Sequence, residues 1–64
     1  MLQITLTSRA AKGFQAELHS NSIDYQFRVR TTYYFLEDSP KLRMAVQLAK
    51  GRYGAASIKV TQLS

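Results

Sequence analysis

The sequence predicts an α+β domain: a small antiparallel sheet of three to four strands with one helix packed on one face, in the order β-β-β-α-β. Three observations carry this. Short runs of apolar residues alternate with polar ones in the first half of the chain. One segment, starting at Ser39-Pro40, has helical spacing and a helix-start signal. A last alternating run follows two glycines.

Leu2, Ile4 and Leu6 alternate with Gln3, Thr5 and Thr7, the pattern of a half-buried strand. "SRAAKG" reads as a turn ending at Gly13, and Phe14, Ala16 and Leu18 alternate as a second strand. "HSNS" is a cluster of turn residues. Ile23, Tyr25, Phe27 and Val29 then alternate with Asp24, Gln26, Arg28 and Arg30, with the β-branched and aromatic content of a third strand. The runs on either side of "SNS" are expected to pair as a hairpin. "TTYYFLED" either extends the strand or packs as a loop. Ser39 stands where an N-cap belongs, and Pro40 takes the first helical position, where a missing N–H costs nothing. Leu42, Ala45, Val46 and Ala49 share one helical arc, which Tyr53 extends. Gly51 is the expected helix stop, and Gly54 gives the chain room to reverse. Ile58 and Val60 mark the last strand.

The chain of 64 residues makes one domain, near the lower size for folding without staples. It has no cysteine, hence no disulfide, thiolate metal site or cysteine nucleophile, and a cytoplasmic location is expected. No run is long enough to span a bilayer, and the first residues do not read as a signal peptide, so the intact chain is expected to be the working form. Catalysis is not expected. His19 stands alone, and the serines (Ser8, Ser20, Ser22, Ser39, Ser57 and Ser64) have no histidine–acid constellation implied by sequence. Glu37 and Asp38 are neighbours that would point to opposite sides of an extended segment. Gly51 and Gly54 do not have phosphate-loop spacing. No cofactor or metal is expected.

Charge points to binding. The net charge is +5, and no acid follows Asp38, whereas Lys41, Arg43, Lys50, Arg52 and Lys59 do. Such asymmetry attracts nucleic acid, an acidic protein face or an anionic membrane surface, of which no membrane partner is expected, although it also serves solubility. On the helix, Met44 and Leu48 fall off the main apolar arc. They either widen the core face or stand exposed within a basic rim, which resembles the centre of a protein interface. Arg28 and Arg30 share one face of the expected third strand, while Tyr25 and Phe27 point the other way, towards the core. The candidate partner contacts are therefore Arg28, Arg30, Lys41, Arg43, Met44, Leu48, Lys50 and Arg52. Arginine at four of them favours bidentate pairing with carboxylate or phosphate.

The helix-to-strand segment reads Leu42-x-x-Ala45-x-x-Leu48-Ala49-x-x-x-Tyr53-x-x-Ala56-x-x-x-Val60-Thr61, preceded by "GFQAEL", a polar turn and "YQFRV". From about Phe14 onward this resembles the small host RNA polymerase inhibitors of T7-like bacteriophages. The resemblance implies one helix across a small antiparallel sheet, and binding to bacterial RNA polymerase that blocks transcription. In that family the exposed side of the helix is acidic, and arginines of the last strand take part in binding. Here that side carries Arg43, Lys50 and Arg52, and Val60 to Leu63 holds no arginine, so no contact residue carries over. The expected function is a non-catalytic basic inhibitor that sterically blocks a bacterial host machine, RNA polymerase or a defence complex, through an acidic protein surface. Nucleic acid, held by basic and aromatic residues on the sheet, is the alternative partner. A homodimer through an exposed edge strand is also open.

Overall fold

The computed structural model describes residues 1–63, so Ser64 lies outside it. The class is the expected α+β, with a four-stranded antiparallel sheet, but two helices accompany it in the order β-α-β-β-α-β. The elements are β1 (Leu2–Leu6), α1 (Ser8–Ser20), β2 (Phe27–Val29), β3 (Thr32–Phe35), α2 (Pro40–Tyr53) and β4 (Ile58–Gln62), with a single 3-10 turn at Ala55–Ser57 before β4. Strand order is β2-β3-β1-β4. β1 pairs with both β3 and β4, placing Ile4 between Tyr33 and Val60. Each helix thus links two strands that run parallel with a third between them, the ferredoxin-like split β-α-β connectivity. That topology hosts many functions and assigns none.

The largest correction concerns residues 8–20, which form a helix and not a turn followed by a strand. Ala10, Ala11, Phe14 and Leu18 are its buried residues, and their spacing is helical. Ala16, needed inside by a strand reading, is exposed. Both ends are capped. The Ala10 N–H donates to the Thr7 hydroxyl at 3.3 Å. At the other end Ile23 N–H reaches the Leu18 carbonyl (2.9 Å) and Ser22 N–H the His19 carbonyl (3.2 Å), with Ser22 left-handed at φ 55°. This is a Schellman closure. The expected "SNS" hairpin is therefore a helix stop.

The expected third strand shrinks to Phe27–Val29. Residues 23–25 pair with no strand, although Ile23 and Tyr25 still pack against the core, and pairing begins only at Gln26, whose N–H donates to the Tyr34 carbonyl at 2.7 Å. A bend at Gln26 breaks the alternation, so Phe27 leaves the core face that Tyr25 keeps. The undecided "TTYYFLED" supplies β3. α2 begins as expected, with Leu42 N–H donating to the Ser39 hydroxyl at 3.1 Å and Pro40 in the first turn. It runs through Gly51, however, and stops at Gly54, whose φ of 91° suits glycine.

Register decides what each sheet face does. Leu2, Ile4, Leu6, Tyr33, Phe35 and Ile58 turn towards the helices and are buried. Phe14 meets Tyr33 and Phe35 edge-on, with centroids 5.5 and 6.4 Å apart, and Tyr25 meets Tyr33 at 5.0 Å. Such pairs add about 0.5–1.5 kcal/mol each beyond burial. Gln3, Thr5, Phe27, Val29, Thr32, Tyr34, Lys59 and Thr61 share the opposite face, which no helix covers.

The helices meet where Gly13 of α1 lies under the Tyr53 ring, and a Cβ there would collide with the phenol. Gly51, by contrast, has open space around it. Alanine at the two sites is therefore expected to act in opposite directions. Gly51→Ala should stabilise by about 0.5–1 kcal/mol through helix propensity. Gly13→Ala should destabilise by about 1 kcal/mol, because overpacking of about 1–3 kcal/mol outweighs the same propensity gain. Thermal unfolding of the two variants checks this, since each kcal/mol moves Tm by about 4–8 °C at this size.

Candidate binding surfaces

The eight candidate residues separate into two places. Six lie on α2. Lys41, Met44, Leu48 and Arg52 are spaced three and four apart, so they form one row along the helix. Met44 is 67% exposed and Leu48 43%, which resolves the choice between core and surface in favour of surface. Leu48 borders the crevice between the helices, beside Gly13, Phe14 and Glu17. Arg52 sits 3.9 Å from the half-buried Glu17, a loose pair in which the arginine itself stays exposed. α2 contains no acid.

Arg43 lies on the other flank, against the groove between α2 and β4. It is not a free cation: its Nε donates to Asp38 Oδ2 at 2.6 Å, while Asp38 Oδ1 accepts from Ser39 N–H at 2.8 Å. Asp38 therefore ties the start of α2 to its first turn. Lys50 is partly buried and stands near the C-terminal end, where a cation suits the helix dipole.

Arg28 and Arg30 are elsewhere. Arg28 is opposite Tyr33 in the register, so it points to the helix side of the β2 edge. Its guanidinium donates to Gln15 Oε1 at 2.6 Å and lies 5.7 Å from the centroid of the Tyr33 ring. A longer bond of 3.4 Å joins it to the Tyr33 hydroxyl. That bond raises the Arg28 pKa further above its ordinary value. Arg30 is not in the strand. It occupies the two-residue turn between β2 and β3, with φ 56°. The two arginines nevertheless line one concavity, with Lys12 and Gln15 of α1. Gln15 and Gly13 lie on opposite sides of α1 by helical spacing, so that helix separates this corner from the Leu48 crevice.

The uncovered sheet face supplies a third surface. Phe27 stacks on Tyr34, with centroids 4.3 Å apart and planes 17° from parallel. Phe27 is 49% exposed, and Val29 beside it is exposed as well. The expectation that Phe27 points into the core is thus corrected, as is the expectation that Arg28 faces away from the core side. Sequence reasoning also missed Lys12 and Gln15, because residues 8–20 were read without a helix. Helical spacing of Ser8, Lys12, Gln15 and His19 was the signal that would have aligned them.

Among the described residues no group of three His, Cys, Asp or Glu side chains could hold a metal ion, and no helix is long and apolar enough to cross a membrane. Arg30 pays a local conformational penalty, and its side chain makes no hydrogen bond or ion pair among the described residues. Arg30→Gly should therefore stabilise the fold by about 0.5–1 kcal/mol in chemical denaturation, since relief of a left-handed strain of about 1–2 kcal/mol exceeds the added unfolded-state entropy. No family model, curated protein or solved structure matches the chain.

Proposed function

We propose that this protein is a non-catalytic binding module that covers a partner protein with the α2 surface and blocks it sterically. The observation that carries the reading is the exposed Met44–Leu48 pair, in line with Lys41 and Arg52 on a helix without acids. A methionine 67% exposed at mid-helix adds little to the core. Exposed apolar groups inside a cationic rim match the anatomy of an interface, and the rim selects a partner with carboxylates around an apolar spot. Met44 adapts its shape to such a spot through its flexible thioether. Arg43 stands off this row, on the opposite flank of α2, where it pairs with Asp38. The resemblance to phage inhibitors makes a bacterial machine in the cytoplasm, RNA polymerase or a defence complex, the proposed target. The layout implied by that resemblance has one helix; α1 is a second.

A second reading rests on another exposed feature, the Phe27–Tyr34 stack on the uncovered face, with Lys59 on the same face. Aromatic rings on a sheet bind single-stranded nucleic acid by stacking, each base contributing about 1–3 kcal/mol.

Affinity capture from a bacterial lysate, with nuclease treatment, separates the two. The first reading expects one dominant protein that survives nuclease and binds directly when purified. Met44→Glu should weaken that direct binding by about 2 kcal/mol or more, roughly 30-fold, while shifting stability by less than about 0.5 kcal/mol. Phe27→Ala should leave it unchanged. Binding that disappears with nuclease, or survives Met44→Glu but not Phe27→Ala, would transfer the function to the sheet.

A further inference from the structure

We infer that the corner between α1 and β2 is a phosphate-binding site, built by Lys12, Arg28 and Arg30 around a floor of Gln15 and Tyr33. This site is separate from the α2 surface and stands whatever that surface binds. The concavity is an open one of about 400 Å3 and also touches Ser8, Ala11 and Thr31. Three cations line it and no carboxylate does among the described residues.

Its internal bonds leave it rich in donors. Gln15 Oε1 accepts both from Arg28 (2.6 Å) and from the Tyr33 hydroxyl (2.7 Å). The acceptor end of that amide is therefore used, and its NH2 end is left to donate. Tyr33 is 1% exposed, so its ring is fixed by the core; its hydroxyl holds the exposed Gln15, and the two together orient Arg28. A preset guanidinium loses less freedom on binding than a mobile one. Arg30 comes from the tight turn, held in a backbone conformation that glycine would adopt more easily. Lys12 is one helical turn from Ser8 and three residues from Gln15, so all three reach the same side of α1.

A ligand for this corner must be acceptor-only and carry more than one negative charge. A single carboxylate is planar, monovalent and satisfied by one arginine. A phosphate group offers oxygens in three dimensions and can engage guanidinium, ammonium and amide donors together. Two sources present that chemistry: a small phosphate compound, or the backbone of a nucleic acid strand crossing the β2 edge.

Two probes distinguish them, inorganic pyrophosphate and a short oligothymidylate, titrated at low salt into the full chain and followed by amide NMR. Pyrophosphate is expected to move the signals of Lys12, Gln15 and residues 28–31. The double variant Arg30→Gly, Lys12→Gln removes two cations without removing a core group, and should weaken binding at least about tenfold. Met44→Glu should change nothing. Oligothymidylate that competes with pyrophosphate assigns the site to a strand; pyrophosphate binding without competition assigns it to a small phosphate compound. Failure of wild-type protein to bind either probe, or equal binding by a folded double variant, would overturn the inference.

Discussion

The fold depends on β1. Leu2, Ile4 and Leu6 all face the helices, and the strand is hydrogen-bonded on both sides, to β3 and to β4. A slip of one residue in either pairing would turn those three side chains to the uncovered face and bring Gln3 and Thr5 into the core. Burying each large aliphatic group stabilises by about 1.5–3 kcal/mol. A domain of this size has a total stability of only about 3–10 kcal/mol, so the register is not negotiable. The β1–β4 ladder continues one bond past the strands, where Leu63 N–H donates to the Met1 carbonyl at 2.8 Å. With β1 fixed, α1 must cross over the β3 side and α2 over the β4 side, and one sheet face is left bare.

Three surfaces follow from that arrangement, and each has a different physical character. The α2 row joins apolar side chains to cations that lack strong partners. The α1–β2 corner is charged, donor-rich and preset by a buried tyrosine. The bare sheet face is weakly polar, with one stacked aromatic pair. On the proposed reading the first meets protein and the second meets phosphate. The domain then acts as a joint between two kinds of ligand, which its small size makes easy: α1, one helix wide, is all that separates the two.

Where local signals agreed with tertiary ones, the sequence was readable. β1, α2 and β4 are such cases, and the Ser39-Pro40 start of α2 was legible to the residue because its cap needs nothing from elsewhere. α1 was not, for two reasons. Phe14, Ala16 and Leu18 satisfy a strand pattern as well as a helical one, and the exposure of Ala16 is settled only by packing. Gly13 reads as a turn residue, yet its role is to admit Tyr53, which lies 40 residues along the chain. The long alternation of Ile23 to Val29 misled for a related cause. Alternation reports where side chains would point; a strand also needs a neighbour, and residues 23–25 have none. Of the candidate contacts, the place of the α2 residues on the helix was legible from spacing, but the exposure of Met44 and Leu48 was not, since it depends on what packs beside them. The corner site was only half legible, since Arg28 and Arg30 stood out but Lys12 and Gln15 required α1.

Site-specific photo-crosslinking tests the central claim most directly. A photoreactive phenylalanine analogue placed at position 44, and separately at position 34, compares the α2 surface with the sheet face in one bacterial extract. Position 44 is expected to crosslink to a single protein, through a peptide bearing aspartate or glutamate, with or without nuclease, while position 34 stays unlinked. Crosslinks from position 34 alone, or to nucleic acid from either position without a protein adduct at 44, would contradict it.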